Sequence, residues 1–161
     1  MAVLVIGVGN LDRGDDGAGL LVAQALAAKR LSSVTVEESS GEIASIVELL
    51  QKATDVVIVD AMRSGKPAGT ALWIDPLLAD SDATATISST HGFGVAQAIG
   101  LLKAMGRLPK RIRILGIEGQ YFALGAPVSP QVREGISTAV RMIVRSLRAK
   151  THPEARRRRR I

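Results

Sequence analysis

The sequence predicts a three-layer α/β fold, a mostly parallel sheet with helices on both faces. Three observations predict it. Short apolar runs rich in Val and Ile alternate with stretches of helical periodicity, in the order β-α-β-α-β-β-α-β-α. The runs Ala2–Val8 and Asp55–Ala61 are apolar almost throughout, as strands covered on both faces are. The first run breaks into a glycine turn at Gly7 and Gly9 and leads into a helix, the start of a βαβ unit.

The elements follow in order. Ala2–Val8 is the first strand. Gly17–Arg30 is a helix with Leu20, Leu21, Val22, Ala25 and Leu26 on its apolar face. Val34–Glu38 is a short second strand. After the turn Ser40-Gly41-Glu42, residues Glu42–Lys52 form a helix with Ile43, Ile46, Val47 and Leu50 inward. Asp55–Ala61 is the third strand. The turn Ser64-Gly65-Lys66-Pro67 leads into the fourth, Gly69–Ile74. Residues 76–90, rich in Asp, Ser, Thr and Ala, read as a loop or lid. Gly92–Met105 is a helix stopped by Gly106 ahead of Pro109. Arg111–Glu118 is the fifth strand. The last helix runs from Ser129 to Arg148, with Ser129 as N-cap and Pro130 at the first helical position.

Composition narrows the possibilities. The chain has 161 residues, enough for one domain with a sizeable core, read as residues 1–150. Hydrophobic residues make up 47% but aromatics only 2%, so the core is built from Val, Ile, Leu and Ala. There is no Cys, which excludes disulfides, thiolate metal sites and a cysteine nucleophile. No apolar run reaches membrane-spanning length, and the start lacks the pattern of a signal peptide. The expectation is a cytoplasmic protein without membrane contact. The net charge of +6 is unevenly placed. Residues 151–161 carry five arginines, Arg156–Arg160, against one acid, Glu154, so the body keeps only about +2. That end reads as a basic, disordered tail. With so few aromatics to stack on bases, no nucleic-acid partner is expected.

The chemistry gathers at the carboxyl ends of the strands. After the first strand come Asn10, Asp12, Asp15 and Asp16; the third strand ends in Asp60; His91 opens the helix that starts at Gly92. In an open α/β sheet these points can face one crevice. Two carboxylates and an imidazole suit a borderline metal such as nickel or zinc. His91 is the only histidine outside the tail, where His152 is the other. Each residue also has a plain reading. Asp16 could cap its helix, Asp60 could cap a turn, and His91 could be an ordinary helix-start residue. Asp12 and Asp15 read as capping or solvated groups.

Gly7 and Gly9 also match the first two glycines of a dinucleotide fingerprint, with Glu37 and Glu38 near the ribose-binding position. Against this, Asp12 stands where the third glycine belongs. Asp15 and Asp16 would repel pyrophosphate at the amino end of the helix. No nucleophile elbow, HExxH or P-loop is present. Ser88, Ser89 and Thr90 are too close in sequence to His91 to make a hydrolase pair.

Four stretches resemble the hydrogenase maturation proteases, endopeptidases that process the large subunit of nickel-iron hydrogenases. They are GVGNLDRGDDGAG (7–19), VVIVDAMRSGKPAGT (56–70), SSTHGFGVAQAIGLLKAMGRLP (88–109) and the closing GIEGQYFALGAPVSPQV (116–132). The resemblance spans residues 2–147 in the family's order. It implies a twisted five-stranded sheet between helices. It also implies removal of a C-terminal extension from a hydrogenase large-subunit precursor after nickel insertion. By motif match the family's metal-contacting acid falls on Asp16, its second carboxylate on Asp60 and its imidazole on His91. The nickel then belongs to the precursor, held by the precursor's cysteines, and no tightly bound cofactor is implied. Asn10, Asp15 and Gly92 are expected to shape the site without binding metal. A rival reading is a module that checks metal loading without cutting; a more distant one is a nucleotide-binding α/β protein. The oligomeric state is left open.

Overall fold

The structure is a computed structural model, and it describes residues 2–77 and 92–151. Five strands form one sheet in the order β2-β1-β3-β5-β4. They are β1 (Val3–Val8), β2 (Val34–Ser39), β3 (Asp55–Met62), β4 (Ala71–Ile74) and β5 (Arg111–Glu118). The helices are α1 (Ala18–Ala28), α2 (Ile43–Leu50), α3 (Gly92–Ala104) and α4 (Pro130–Thr151). β1 pairs in parallel with β2 and β3, and β3 pairs in parallel with β5; β4 alone runs antiparallel, against β5. The three-layer, mostly parallel architecture expected from the sequence is therefore present.

Side-chain alternation along each strand splits the core into two layers. Val3 and Val5 of β1, Val57 and Val59 of β3 and Leu115 of β5 face α1 and α4. Leu4, Ile6, Val56, Ile58, Ile112 and Ile114 face α2 and α3. The long runs of Val and Ile in β1 and β3 are the residues fully enclosed on both sides.

The nine elements among the described residues lie within a few residues of their expected bounds, with three local differences. α1 starts only at Ala18, because a single 3-10 turn, Gly14–Gly17, precedes it. On α1 the buried stripe includes Ala23, while Leu21 is only half-buried. On α2, Leu49 is buried, whereas Ile43, expected inward, is 38% exposed in the first turn. The loop at 76–90 is described only as far as Leu77, and residues 152–161 of the tail also lie outside the described residues.

The strand order fixes where a site can form. From β1 the chain goes out to β2 on one side; from β3 it continues to the other side. The chain therefore reverses direction between β1 and β3, and a crevice opens at their carboxyl ends.

Candidate functional site

The turn that follows β1 is built to bring carboxylates back onto the sheet. At Gly9 a Cβ would lie 2.0 Å from the carbonyl oxygen of Asp16, so only glycine lets the chain fold back this closely. The Asn10 amide donates to that carbonyl at 3.3 Å. The Asn10 side chain accepts the Asp12 amide at 2.9 Å, an Asx turn that starts the reversal. Gly14 stands at φ +57, where a Cβ would meet the Tyr121 carbonyl at 2.4 Å. The 3-10 turn that results packs against both α1 and β3.

Asp16 lies on this turn and Asp60 at the end of β3, and the two elements touch. Asp16 is 2% exposed and Asp60 1%. Two carboxylates are thus enclosed on touching elements beside the crevice. Carboxylate oxygens are donors that suit a divalent cation. Carboxylates beside the amino end of α1 disfavour the pyrophosphate that a dinucleotide would bring there. Gly92 begins α3, whose Gly94 comes close to the carbonyl of Gly41 just past β2. His91 itself lies outside the described residues. Among the described residues, no group of three or more His, Cys, Asp or Glu is placed to hold a metal ion.

Asp15 does something the sequence did not disclose. It is fully buried rather than solvated. Its Oδ2 accepts the amides of Gln120 at 2.8 Å and Tyr121 at 2.9 Å and the Ser129 hydroxyl at 3.1 Å; its Oδ1 accepts the Ser129 amide at 2.7 Å. The Asp15 amide in turn donates to the Tyr121 carbonyl at 2.8 Å. Asp15 thus ties the 3-10 turn to both ends of the 119–129 loop. The Ser129 hydroxyl, expected to cap α4, is turned onto Asp15, although α4 does begin at Pro130.

A second buried acid was not singled out from sequence. Glu118, at the end of β5, accepts the amides of Ser64 (2.8 Å) and Gly65 (3.1 Å) and the Ser64 hydroxyl (2.6 Å). It fixes the turn after β3, the strand that carries Asp60. An acid at the end of an otherwise apolar strand was the available signal. Of the remaining acids, Asp12 is exposed, Glu37 is half-buried, and Glu38 is exposed beside a groove lined with Gly9, Asn10 and Leu11.

Comparison with known proteins adds to this geometry. The family model described as hydrogenase maturation protease matches residues 21–146. The hydrogenase expression/formation protein HupD of Thiocapsa roseopersicina is 30% identical over 148 residues, covering 90% of this chain and 67% of that protein. The hydrogenase 2 maturation protease of Escherichia coli (strain K12) is 28% identical over 154 residues, covering 92% of each. Among solved structures, the hydrogenase maturating endopeptidase HybD of E. coli superposes with a TM-score of 0.73 at 24% identity, over 93% of this chain and 94% of that one. The endopeptidase HycI of E. coli superposes with a TM-score of 0.68 at 28% identity, over 88% of each.

Proposed function

The chain belongs to the hydrogenase maturation protease family and is a peptidase, and from that premise we propose that it trims a nickel-iron hydrogenase large-subunit precursor. In this reading it removes the C-terminal extension of the precursor once nickel has been inserted. The observation that supports it is the pair Asp16 and Asp60, buried on touching elements where the strand order reverses.

The nickel is part of the substrate. The chain has no cysteine of its own, so soft thiolate ligands come from the precursor, and the protease offers hard carboxylates and the imidazole of His91. Asp16 and Asp60 read the metal by its charge. Peptide hydrolysis needs a proton acceptor for the attacking water and a proton donor for the leaving amine. A buried carboxylate, ionised and then protonated, serves both needs in turn. This makes the protein an aspartyl-type endopeptidase whose substrate completes the site. Asp15 and Glu118 hold the surrounding turns rigid, and Asn10 shapes the approach.

The test is to mix the protein with nickel-loaded and nickel-free precursor and follow precursor mass. Loss of a C-terminal peptide from the loaded form alone is the expected result. Binding of the loaded form without a mass change would replace this reading with that of a non-cutting checking module. Equal cleavage of both forms would remove the nickel-reading role.

A further inference from the structure

A cavity of about 560 Å³ opens beside the Asp15–Asp16 turn, against the 119–129 loop. Its walls include Arg63, Tyr121, Phe122, Ala126, Pro127 and Val128. Phe122 holds two guanidinium groups. Arg63 lies over its ring, 4.4 Å from the centroid, and Arg13 Nε donates to its carbonyl at 3.3 Å. Among the described residues, no carboxylate pairs with either arginine. The lining is apolar as well as basic, and Tyr121 is 56% exposed.

We propose that this groove is the subsite for the C-terminal extension of the precursor, and that it takes an extended stretch in which an apolar side chain stands next to an acidic one. The inference rests on the maturation-protease reading above. Three features carry it. An aromatic-walled groove with preoriented guanidinium groups matches an apolar residue beside a carboxylate. The groove is open and built from a loop, so a flexible peptide can lie in it where a folded body cannot. The loop is bonded at both ends to Asp15, the residue before Asp16, so the groove keeps a fixed position relative to the turn that carries Asp16. Holding the extension there would position the scissile bond by binding energy away from the reacting atoms.

The experiment is a charge swap in the full-length protein. Arg63→Glu is expected to raise KM for the nickel-loaded precursor about tenfold while leaving kcat within about twofold, as loss of a charge-assisted contact does. Changing the acidic residues of the extension to Gln should give the same loss in the parent protein and no further loss in Arg63→Glu. Changing them to Lys should restore processing by Arg63→Glu. An unchanged KM, a loss confined to kcat, or no rescue by the lysine precursor would overturn the subsite. A loss that follows only amidation of the terminal carboxylate would also overturn it. If the parent protein cleaves no precursor, the function reading fails instead. The groove is then tested alone, by NMR titration of the Tyr121 and Phe122 amides. A synthetic acidic-apolar peptide should bind there about tenfold more tightly than its glutamine counterpart. Equal binding of the two would overturn the subsite on its own.

Discussion

The amide and the hydroxyl of Ser129 both donate to the carboxylate of Asp15, 114 residues earlier in the chain, at 2.7 and 3.1 Å. With the amides of Gln120 and Tyr121 also on Asp15, one buried side chain closes the loop between β5 and α4 onto the turn that carries Asp16. Asp15→Ala leaves three buried or half-buried amides and a hydroxyl without their acceptor. It is expected to lower stability by at least about 3 kcal/mol, read by urea unfolding. Asp15→Asn sets an NH2 group against amide donors and is expected to cost about 1–3 kcal/mol. Both variants should open residues 119–128 to limited proteolysis, because the loop loses its tether.

Helix α1 crosses the sheet at Gly19, where a Cβ would stand 2.3 Å from the Val59 carbonyl oxygen and 2.4 Å from that of Val8. Both neighbours are backbone and cannot turn aside. Gly19→Ala is expected to destabilise by about 1–3 kcal/mol, measured as a lower urea midpoint. Gly100 in α3 is the control: a Cβ there meets nothing within 4 Å. Gly100→Ala is expected to stabilise by about 0.5–1 kcal/mol through helix propensity and reduced freedom of the unfolded chain.

At the opposite end of the sheet, two cationic side chains converge on the Asp55 carboxylate. Lys150 bonds directly to one of its oxygens, and Arg113, stacked on Trp73 at 4.8 Å, reaches the other at 3.9 Å. Burial lowers the pKa of Arg113, with Arg111 nearby adding to the effect, and burial also lowers that of Lys150. A base with a lowered folded pKa binds fewer protons folded than unfolded. Its cost to stability is therefore present at neutral pH and is relieved as pH rises toward the unfolded lysine value of 10.5. Lys150→Met should flatten that alkaline rise in the urea midpoint. Asp55→Asn, which removes the counter-charge, should destabilise by about 1–3 kcal/mol at pH 7, with folded protein retaining its processing rate.

The fold was legible because its signals are local. Runs of Val and Ile gave β1 and β3, Gly106 stopped α3, and Pro130 opened α4. The 3-10 turn at Gly14–Gly17 was missed because its cause is not local: Gly14 is pressed against Tyr121, far along the chain. For the same reason Asp15 read as a capping or solvated acid. An aspartate at a helix start carries the same local pattern whether water or a distant loop satisfies it. Glu118 escaped notice because its partners, Ser64 and Gly65, come from another turn. Asp16 and Asp60 were legible as candidates because both fall at the carboxyl ends of strands that the α/β pattern brings side by side.

The most direct test of the central claim compares Asp16→Asn and Asp60→Asn with the parent protein on nickel-loaded precursor, following precursor mass over time. Each change keeps the side-chain shape, and processing is compared on variants shown to be folded by circular dichroism. Processing should fall at least about 100-fold in both, the scale lost with a proton-transferring group. A folded Asn variant that releases the C-terminal peptide at the parent rate would contradict the assignment of that carboxylate.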